Sequence, residues 1–583
     1  MAIFVKNDQQ PRKKMGCLGK TLVGIGIYLL ISGLVGVLMG DMLSTSQTTL
    51  EANTIYRIDM KGTVVEQATE DNPMSAVVGE LSGRPAAVSV GLDQLLSNIA
   101  LAKNNDKVLG IYLRGGQLDI APASAKAVRD ALVDFKESGK FIIAYADNYS
   151  QTNYYIASVA DKICLNSVGS LAWDGLTAQK MYYKRALEKI GVEMQILKVG
   201  TFKSAVEPYF RTSMSDADKK QIEQYLAGIW EEMRGAVAAS RQLQPELLDK
   251  YANECMSLQE QDKYTQYGLV DTLVYVQDMD TLLRVYAGTK DYKMLSTTKM
   301  ANVKRTEITA KDKVAVVYAE GAIVDEGTDG IVEGDMLKIF KDIQKDEDVK
   351  AVVFRVNSPG GSADASEQIW HAVRMLQEKG LPVVVSMGDY AASGGYYISC
   401  SADYIYAEPT TLTGSIGIFG TVPSVKKLRE KVGLDIDGVR THKYAGLQTN
   451  ALYHGMSTEE YALMQKMVER GYELFTQRCA DGRGMTQDAI KKVGEGRVWL
   501  GADALKLGLV DGLGNIDAAI MKAAELASLG EYQLAYYPEK KDPIQELMKM
   551  LDSSTPEERL VMKIREFASQ PRIMALMPEV EIQ

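Results

Sequence analysis

The chain has 583 residues, and its 66 Lys and Arg residues against 76 Asp and Glu residues give a formal net charge of −10 at pH 7. This length predicts several domains with large hydrophobic cores. With 46% hydrophobic and 24% charged residues, the composition excludes disorder for the bulk of the chain. The acidic balance argues against a nucleic-acid partner, and a single long apolar run excludes a polytopic membrane protein. Three histidines and five cysteines, none in metal-ligand spacing, predict no metal site.

The long apolar run covers residues 21–40, TLVGIGIYLLISGLVGVLMG. A helix of this length spans about 30 Å, the thickness of the hydrocarbon core of a bilayer. Basic residues are concentrated in residues 1–20, so the positive-inside rule predicts a cytoplasmic N-terminus and an extracytoplasmic position for residues 41–583. A cleaved signal peptide and a buried core helix are the competing interpretations. The length and the basic flank favour an uncleaved single-pass anchor.

An internal repeat is the most informative feature of the remaining sequence. The segment DNYSQTNYYIASVA at 147–160 matches DYAASGGYYISCSA at 389–402 with an offset of 242 residues, and the match continues without a gap to Gly191 and Gly433. Chance does not plausibly produce a constant offset over such a length. We therefore predict two copies of one domain, at about residues 55–290 and 313–540.

Each copy alternates β-branched apolar runs with helical stretches. In the second copy, the predicted strand AVVFRV is followed by an amphipathic helix that ends at Gly380 and then by the buried strand PVVVSM. Continuous apolar strands that alternate with helices are typical of a parallel sheet, so both copies are predicted to be α/β. A polar linker is predicted at about 290–312, and residues 541–583 have a helical pattern.

Two glycine-rich turns follow neighbouring strands of the second copy. Ser393 lies in AASGG after PVVVSM, where small neighbours permit a tight turn that exposes the hydroxyl beside backbone N–H groups. NSPGGS at 357–362 follows AVVFRV. Together the N–H groups of Gly360 and Gly394 can form an oxyanion hole. Two ordinary structural turns are the alternative interpretation. In the first copy, Gln151 occupies the position that matches Ser393.

A serine nucleophile needs a base. His371 falls within an amphipathic helix, and His442 and His454 lie in polar loops, so none of the histidines is well positioned. A lysine can replace histidine where burial lowers the lysine pKa. Lys203 lies in LKVGTFKSAVEPYF of the first copy, and the position 242 residues later is Ala445. The residues alone do not separate Lys203 from the other lysines of the chain.

Four motifs together resemble those of the long form of bacterial signal peptide peptidase A, a family of serine proteases of the Ser-Lys dyad type (family S49). They are NSPGGS, MGDYAASGGYYIS, LTGSIGIFG and VGTFKSAVEPY. The resemblance covers about residues 15–540. It implies an α/β chain of two tandem crotonase/Clp-protease-like domains preceded by one transmembrane helix. The domain bounds that follow are 1–20 for the basic cytoplasmic N-terminus, 21–40 for the anchor, 41–300 and 301–540 for the two domains, and 541–583 for a helical tail.

The resemblance also implies roles for individual residues. Ser393 would be the nucleophile and Lys203 the general base, with the two meeting across the interface of the two domains. Ser415, in TGSIG, matches the serine that orients the lysine amine in the family, and Trp173 replaces it in the first copy. Gly360 and Gly394 would supply the oxyanion hole.

The activity implied is degradation of signal peptides left in the bacterial plasma membrane after secretion. The family resemblance further implies a homotetramer, an extracytoplasmic (periplasmic) position of both domains, and no cofactor. Two other hypotheses stay open at this point. A crotonase-like acyl-CoA enzyme would also use glycine-rich oxyanion loops, and a non-catalytic membrane-anchored scaffold would use the repeats for assembly alone.

Overall fold

The computed structural model describes residues 48–67, 89–305, 309–539, 573–577 and 581–582. The predicted anchor at 21–40 and most of the predicted helical tail lie outside these ranges. Within the described ranges, no helix combines the length and the apolar character that crossing a membrane requires. The chain divides into two compact units, of which the smaller contains the described residues 48–50 and 298–305. In that unit Thr48 pairs with Val303 in an isolated parallel bridge.

The larger unit contains both copies of the repeat. The strands of the first half are β1 (Thr54–Val65), β2 (Ser89–Gly91), β3 (Val108–Asp119), β4 (Phe141–Tyr149), β5 (Lys162–Leu171), β6 (Ala178–Gln179), β7 (Glu193–Val199), β8 (Thr272–Leu273) and β9 (Lys293–Ser296). Seven of them form a sheet in the order β2-β1-β3-β4-β5-β8, with β9 also paired to β1. Every pair in this sheet is parallel.

The strands of the second half are β10 (Lys313–Glu320), β11 (Ile323–Val324), β12 (Ile331–Val332), β13 (Val349–Ser358), β14 (Gly360–Ser362), β15 (Val383–Ala392), β16 (Tyr404–Ala407), β17 (Leu412–Gly414), β18 (Ile418–Ser424), β19 (Val498–Leu500), β20 (Gly512–Leu513) and β21 (Gln533–Tyr537). The parallel order β21-β10-β13-β15-β16-β20 repeats the order β9-β1-β3-β4-β5-β8 of the first half. The described sheets therefore confirm the α/β class and the internal repeat.

Helices connect the strands and cover the sheets. In the first half they are Leu92–Lys103, Pro122–Lys136, Gln151–Ala157, Lys184–Ile190, Glu207–Phe210, Asp216–Arg241, Pro245–Asn253, Gln261–Gln266, Met279–Ala287 and Thr297–Ala301, with 3-10 turns at Met256–Leu258 and Val276–Asp278. In the second half they are Glu333–Lys345, Ala363–Glu378, Gly394–Ser399, Lys426–Val432, Leu447–His454, Thr458–Arg483, Gln487–Val493, Gly501–Lys506 and Ile516–Leu526. The helix Ala363–Glu378 matches the predicted one, and Gly380 follows it at φ +86°.

The core of the second half lies on both faces of its central strands. In β13 the residues Ala351–Val356 are all buried, and in β15 the residues Val383–Met387 are all buried. Strands buried on both faces read as continuous apolar runs, which is why AVVFRV and PVVVSM were recognisable in the sequence. Because parallel strands end at the same edge of a sheet, the turns that follow β13 and β15 lie side by side.

A third sheet joins the two halves in the order β12-β11-β14-β22-β18-β7, where β22 is Ile573–Leu576. Strand β7 of the first half pairs antiparallel with β18 of the second over seven residues, from Glu193↔Ser424 to Val199↔Ile418. This pairing carries the chain that follows β7 to the carboxyl end of the second parallel sheet. The sheet thus brings a loop of the first copy to the glycine-rich turns of the second.

Two local predictions differ from the structure. The polar segment predicted as a linker at 290–312 contains β9, which completes the first sheet, and the helix Thr297–Ala301. The described part of the tail that was predicted to be helical forms β22 and a further strand, β23 (Glu581–Ile582). In both cases backbone groups at the edge of an existing strand accept a new strand, and this tertiary pairing overrides the local sequence preference.

Candidate active site

Ser393 occupies a strained turn between β15 and the helix Gly394–Ser399. Its backbone has φ +57° and ψ −114°, outside the regions that non-glycine residues usually occupy. The turn is held because Ser393 N–H donates to the carbonyl of Gly414 at 2.8 Å. The side chain is fully buried. The helix that follows begins at Gly394, and the first N–H groups of a helix have no partner within it.

Lys203 lies in the loop after β7, and its amine reaches the serine of the other copy. Lys203 Nζ is 2.6 Å from Ser393 Oγ, although the two residues are 190 positions apart in the chain. The lysine is fully buried as well. The structure therefore brings together the two residues that the resemblance paired, and it does so through the β7–β18 pairing that joins the two halves.

Ser415 makes the remaining described contacts of the lysine amine. Lys203 Nζ lies 3.0 Å from the Ser415 carbonyl oxygen and 3.1 Å from Ser415 Oγ. Ser415 is itself at φ +51°, and its N–H donates to the carbonyl of Arg497 at 2.7 Å, which holds the turn. Its hydroxyl lies 3.4 Å from the carbonyl of Gly496 and donates to it. A neutral amine has two N–H groups and one lone pair, and these three contacts match that inventory.

The environment of Lys203 favours the neutral amine. Burial lowers the pKa of Lys203 well below its ordinary value of 10.5, and no other cause opposes or supplements this shift. Desolvation disfavours an ammonium that has no carboxylate beside it. A buried lysine with a lowered pKa, at hydrogen-bond distance from a serine hydroxyl, is able to accept the proton of that hydroxyl.

The lysine loop, which is residues 200–206 between β7 and the helix Glu207–Phe210, lies in close backbone contact with the second copy. Two glycines make this close approach possible. A Cβ on Gly496 would lie 2.6 Å from Lys203 Cβ and 2.7 Å from Lys203 Cα, and Gly496 is at φ +77°. A Cβ on Gly200 would lie 2.5 Å from the backbone carbonyl of Glu495. Phe202 N–H donates to the same Glu495 carbonyl at 2.9 Å. The sequence analysis did not identify Gly496. The two glycines of GEGR at 494–497, in the second copy, were the pattern that could have indicated a close backbone approach there.

A buried polar cluster anchors the lysine loop on the side of the first copy. Ser204 Oγ donates to Asp218 at 2.5 Å, and Lys180 Nζ forms an ion pair with Asp218 at 2.7 Å. The side chains of this ion pair are 2% and 0% exposed, for Lys180 and Asp218 respectively. Gln221 Nε2 donates to Ser204 Oγ at 3.1 Å. The cluster holds the residue next to Lys203, and sequence analysis identified none of its members.

The two expected oxyanion donors have different environments. Gly394 opens the helix after Ser393, and its N–H is one of the groups that an α-helix leaves without an intrahelical partner. Gly360, at φ +102°, begins β14, and its N–H donates to Ser358 Oγ at 3.1 Å. A substrate oxyanion would therefore compete with the Ser358 hydroxyl for the Gly360 N–H.

The matching positions of the first copy hold structural residues. Gln151 Oε1 accepts from the N–H groups of Asp174 and Gly175, each at 3.0 Å. Trp173 is fully buried, and its indole N–H donates to the carbonyl of Leu248 at 3.0 Å. The first copy thus fills the positions of Ser393 and Ser415 with side chains that tie its own loops together.

The counterpart of Lys203 in the second copy needs a correction. VGTFKSA at 199–205 matches VRTHKYA at 439–445 with an offset of 240, so its partner is Lys443 and not Ala445. The offset falls from 242 to 240 because two residues are missing between the two matched segments. Lys443 is exposed and forms an ion pair with Glu459 at 2.5 Å. The second copy has kept a lysine in the motif, but at the surface.

A second set of buried polar contacts connects the two copies along β13 and β15, the strands that precede the two glycine-rich turns. Arg355 of β13 forms an ion pair with Glu66, which follows β1, at 2.8 Å, and the two side chains are 4% and 3% exposed. Asn357 Nδ2 donates to Glu66 at 2.8 Å. At the end of β15, Asp389 accepts from both the N–H and the hydroxyl of Ser124, at 2.8 and 2.6 Å. These contacts tie the strands that carry the glycine-rich turns to the first copy.

A buried serine hydroxyl held against a buried amine is the arrangement of a nucleophile and its base, which is the chemistry of a serine hydrolase. Comparison with known proteins narrows the class. The model of peptidase family S49 matches residues 134–290 and 375–530, one match in each half. The chain belongs to this family and is a serine peptidase with two tandem S49 domains.

Individual relatives agree with that assignment. Protease 4 of Salmonella typhi is 35% identical over 553 residues, which cover 91% of this chain and 86% of that protein. A putative signal peptide peptidase SppA of Enterococcus faecium is 33% identical over 215 residues, covering 36% of this chain and 62% of that protein. A solved structure of a ClpP1 mutant from Listeria monocytogenes aligns with 34% of this chain and 91% of its own, at 16% identity and a TM-score of 0.24, too low to support an argument.

The family assignment decides among the hypotheses that the sequence left open. A serine peptidase accounts for the two glycine-rich turns and for Ser393 within the second of them. It displaces both the crotonase-like acyl-CoA enzyme and the non-catalytic scaffold.

Proposed function

We propose that this chain is a membrane-anchored serine endopeptidase that uses Ser393 and Lys203 as a catalytic dyad to degrade cleaved signal peptides and other apolar peptides. The observation that carries the proposal is the 2.6 Å contact between Lys203 Nζ and Ser393 Oγ, both atoms belonging to buried residues. An uncharged amine in such a contact is a general base for the hydroxyl.

In the first step, Ser393 Oγ attacks the carbonyl carbon of the scissile peptide bond while Lys203 Nζ takes the hydroxyl proton. Ser415 supports this step, because its carbonyl and its hydroxyl accept the two N–H groups of the amine at 3.0 and 3.1 Å. The lone pair is thereby left directed at Ser393. The protonated lysine then returns the proton to the leaving amine, and an acyl-enzyme remains.

The negative charge that develops on the carbonyl oxygen needs preorganised donors. Gly394 N–H at the start of its helix is one such donor, and Gly360 N–H is the second. In the second step Lys203 activates a water molecule, which hydrolyses the acyl-enzyme and regenerates the Ser393 hydroxyl. The peptide is cut into two products, and one water is consumed.

The proposed substrate class follows from the apolar run at residues 21–40 and from the names of relatives. An anchor holds the peptidase at the bilayer in which cleaved signal peptides, with apolar segments of about 7–15 residues, remain. We assign the chain to the bacterial plasma membrane, with a cytoplasmic N-terminus and extracytoplasmic domains. A homotetramer is part of the same proposal, and mass measurement of the detergent-solubilised protein tests it.

The experiment is hydrolysis of a fluorogenic apolar peptide by the solubilised full chain, compared with Ser393→Ala and Lys203→Met. Methionine fills a similar volume without a titratable group. Both variants are expected to lose activity by about 10²–10⁴-fold or more, the range for removal of a general base. Lys198→Ala is the matched control, because Lys198 lies on β7 with its Nζ 5.8 Å from the centre of the Phe210 ring. Near-normal activity of folded Lys203→Met would refute the dyad.

A further inference from the structure

Strands β13 and β15 lose their regular pairing just before the two glycine-rich turns of the site. The pairs run in register up to Val356↔Met387 and resume at Ser358↔Ala391. Between these two pairs β13 has a single residue, Asn357, and β15 has three, so β15 contains a bulge. A bulge leaves backbone groups without partners in the ladder. Because both turns follow directly, the geometry of this bulge fixes the position of one turn relative to the other.

The side chain of Asn357 bridges the bulge. Asn357 Oδ1 accepts the backbone N–H of Tyr390, one of the three bulged residues, at 3.0 Å. Asn357 Nδ2 donates to Glu66 Oε1 of the first copy at 2.8 Å. A backbone N–H can only donate and an ionised carboxylate can only accept, so these two partners fix the orientation of the amide. One side chain therefore holds the bulge of β15 and ties it to the other copy.

The carboxylate of Glu66 is itself held in place. Arg355 donates to both of its oxygens, from Nε to Oε2 at 2.8 Å and from Nη2 to Oε1 at 3.1 Å. Such a two-point ion pair fixes direction as well as distance. Arg355 Nη1 also donates, at 2.9 Å, to the carbonyl of Met387, the last regularly paired residue of β15 before the bulge. Glu66 is thus anchored to both strands immediately ahead of the site.

The backbone of the bulge packs directly against the pair of Glu66 and Asn357. A Cβ on Gly388 would lie 2.6 Å from Glu66 Oε1 and 2.8 Å from Asn357 Cβ. The next residue, Asp389, accepts from the N–H and the hydroxyl of Ser124 in the first copy, at 2.8 and 2.6 Å. Contacts with the first copy thus fix two of the three bulged residues, and Asn357 fixes the third.

We propose that Asn357 is a positioning residue of the peptidase. Through the bulge of β15 and Glu66 of the first copy, it holds the Gly360 oxyanion donor and the Ser393 nucleophile at the separation that the reaction requires. This assignment rests on the proposed function, since it concerns the same two groups. Donors stabilise an oxyanion only where they are preorganised around it, and a misplacement of about 1 Å can cost about 10²-fold in rate. The first copy then serves the site twice, with Lys203 beside the nucleophile and with Glu66 behind the oxyanion donors.

A carboxylate at position 357 tests this role, because the surroundings of Glu66 are already crowded with carboxyl groups. Glu320 accepts the N–H of Glu66 at 3.2 Å, and burial together with the Glu66 carboxylate raises the Glu320 pKa to about 7. Burial also raises the pKa of Asp389. Asn357→Asp would add another carboxylate that faces Glu66 with no hydrogen to donate. Glu66→Gln returns a hydrogen from the opposite side, so the double variant keeps one amide and one carboxylate.

The first test compares peptide hydrolysis by the solubilised full chain with that of Asn357→Asp, Glu66→Gln and the double variant. Each single variant sets two like groups against each other and is expected to lower kcat by about 10²-fold. KM should stay within about twofold, because the oxyanion exists only in the transition state. The double variant is expected to recover at least about tenfold of the loss. Asn148→Asp is the matched control and should keep its activity, because Asn148 is exposed in the first copy and its Oδ1 accepts the N–H of Ser170 at 2.9 Å.

The second test uses Asn357→Ala, which removes both hydrogen bonds without adding a charge and serves also if Asn357→Asp does not fold. It is expected to lower kcat by about tenfold and to weaken a peptide aldehyde by a similar factor, because the adduct of the aldehyde with Ser393 carries the oxyanion. Unchanged kcat in folded Asn357→Ala, a change confined to KM, or a double variant no more active than the single ones would overturn the proposal. Failure of the proposed function has a different signature, because then the wild-type chain is itself inert toward peptides and toward serine-directed probes.

Discussion

Ser415 contacts the Lys203 amine twice, through its carbonyl oxygen at 3.0 Å and its hydroxyl at 3.1 Å. These two contacts match the two N–H groups that a neutral amine has, whose lone pair would then be left for Ser393 Oγ at 2.6 Å. The backbone of Ser415 lies in the left-handed region, at φ +51°, and both of its oxygens are within hydrogen-bond distance of the same nitrogen. The amine is oriented by a turn and not only by burial.

Removal of the Ser415 hydroxyl should therefore impair turnover without impairing substrate binding. In Ser415→Ala one hydrogen bond to the amine is lost, which corresponds to about a fivefold decrease in kcat at about 1 kcal/mol per bond. KM is expected to stay unchanged. Ser399→Ala is the control, because Ser399 is a buried serine whose hydroxyl donates to the Gly395 carbonyl of its own helix. A Ser415→Ala enzyme with unchanged kcat would contradict this role.

The pH profile of kcat/KM should have an acid limb set by Lys203. Protonation removes the lone pair that accepts the Ser393 proton, so activity falls as the pH drops through the lysine pKa. Because burial holds that pKa well below 10.5, activity should reach its plateau well before pH 10.5. The measurement uses an uncharged peptide so that substrate titration does not contribute. A kcat/KM that keeps rising up to pH 10.5 would show that the Lys203 pKa has its ordinary value and would contradict this prediction.

The same burial of Lys203 lowers the free energy of unfolding of the protein. Between the lowered native pKa and the unfolded value near 10.5, the unfolded chain binds one more proton than the native chain, so wild-type stability rises with pH across this window. Lys203→Met has no such proton to bind. Its Tm should exceed that of the wild type at pH 7, and the difference should shrink as the pH approaches 10.5. Thermal unfolding at several pH values checks this, and a Tm difference independent of pH would contradict it.

Gly496→Ala should displace the lysine loop. The new methyl group would lie within 2.7 Å of the Lys203 backbone, in a residue already at φ +77°. We expect a loss of stability of about 1–3 kcal/mol and at least a tenfold loss of activity. Gly235→Ala is the opposite case, because Gly235 lies within the helix Asp216–Arg241 and a Cβ there meets nothing within 4 Å. That variant should be stabilised by about 0.5–1 kcal/mol and should keep its activity.

Glu66→Ala should weaken the connection between the copies. It leaves the buried Arg355 guanidinium without its carboxylate, and removal of one partner of a buried ion pair costs about 3–5 kcal/mol. Asp59→Ala is the comparison, because the Arg57–Asp59 pair is 31% and 42% exposed and such pairs contribute about 1 kcal/mol or less. Denaturant unfolding measures both. Equal losses in the two variants would show that the buried pair does not stabilise the fold.

The central parallel strands, the internal repeat and the glycine-rich turns could be predicted from the sequence. The β-branched runs of β13 and β15 are continuous because both faces of these strands are buried. The repeat was visible because the offset stays at 242 residues from positions 147 and 389 to Gly191 and Gly433, and both copies keep the same strand order. AASGG and NSPGGS were recognisable because turns with left-handed or closely packed backbone favour small residues. The lysine was singled out by motif resemblance, since nothing local distinguishes it.

What the sequence by itself determined is therefore local: strand, turn and helix, and which residues end each strand. The tertiary structure decided which of those ends meet. Strand β9, the Ser204–Asp218–Lys180 cluster, the Glu66–Arg355 pair and the C-terminal strand all depend on partners far away in the chain, which local patterns do not encode. Lys203 and Ser393 meet across 190 positions because β7 pairs with β18, and the pKa of the lysine is lowered because that closure removes the amine from water.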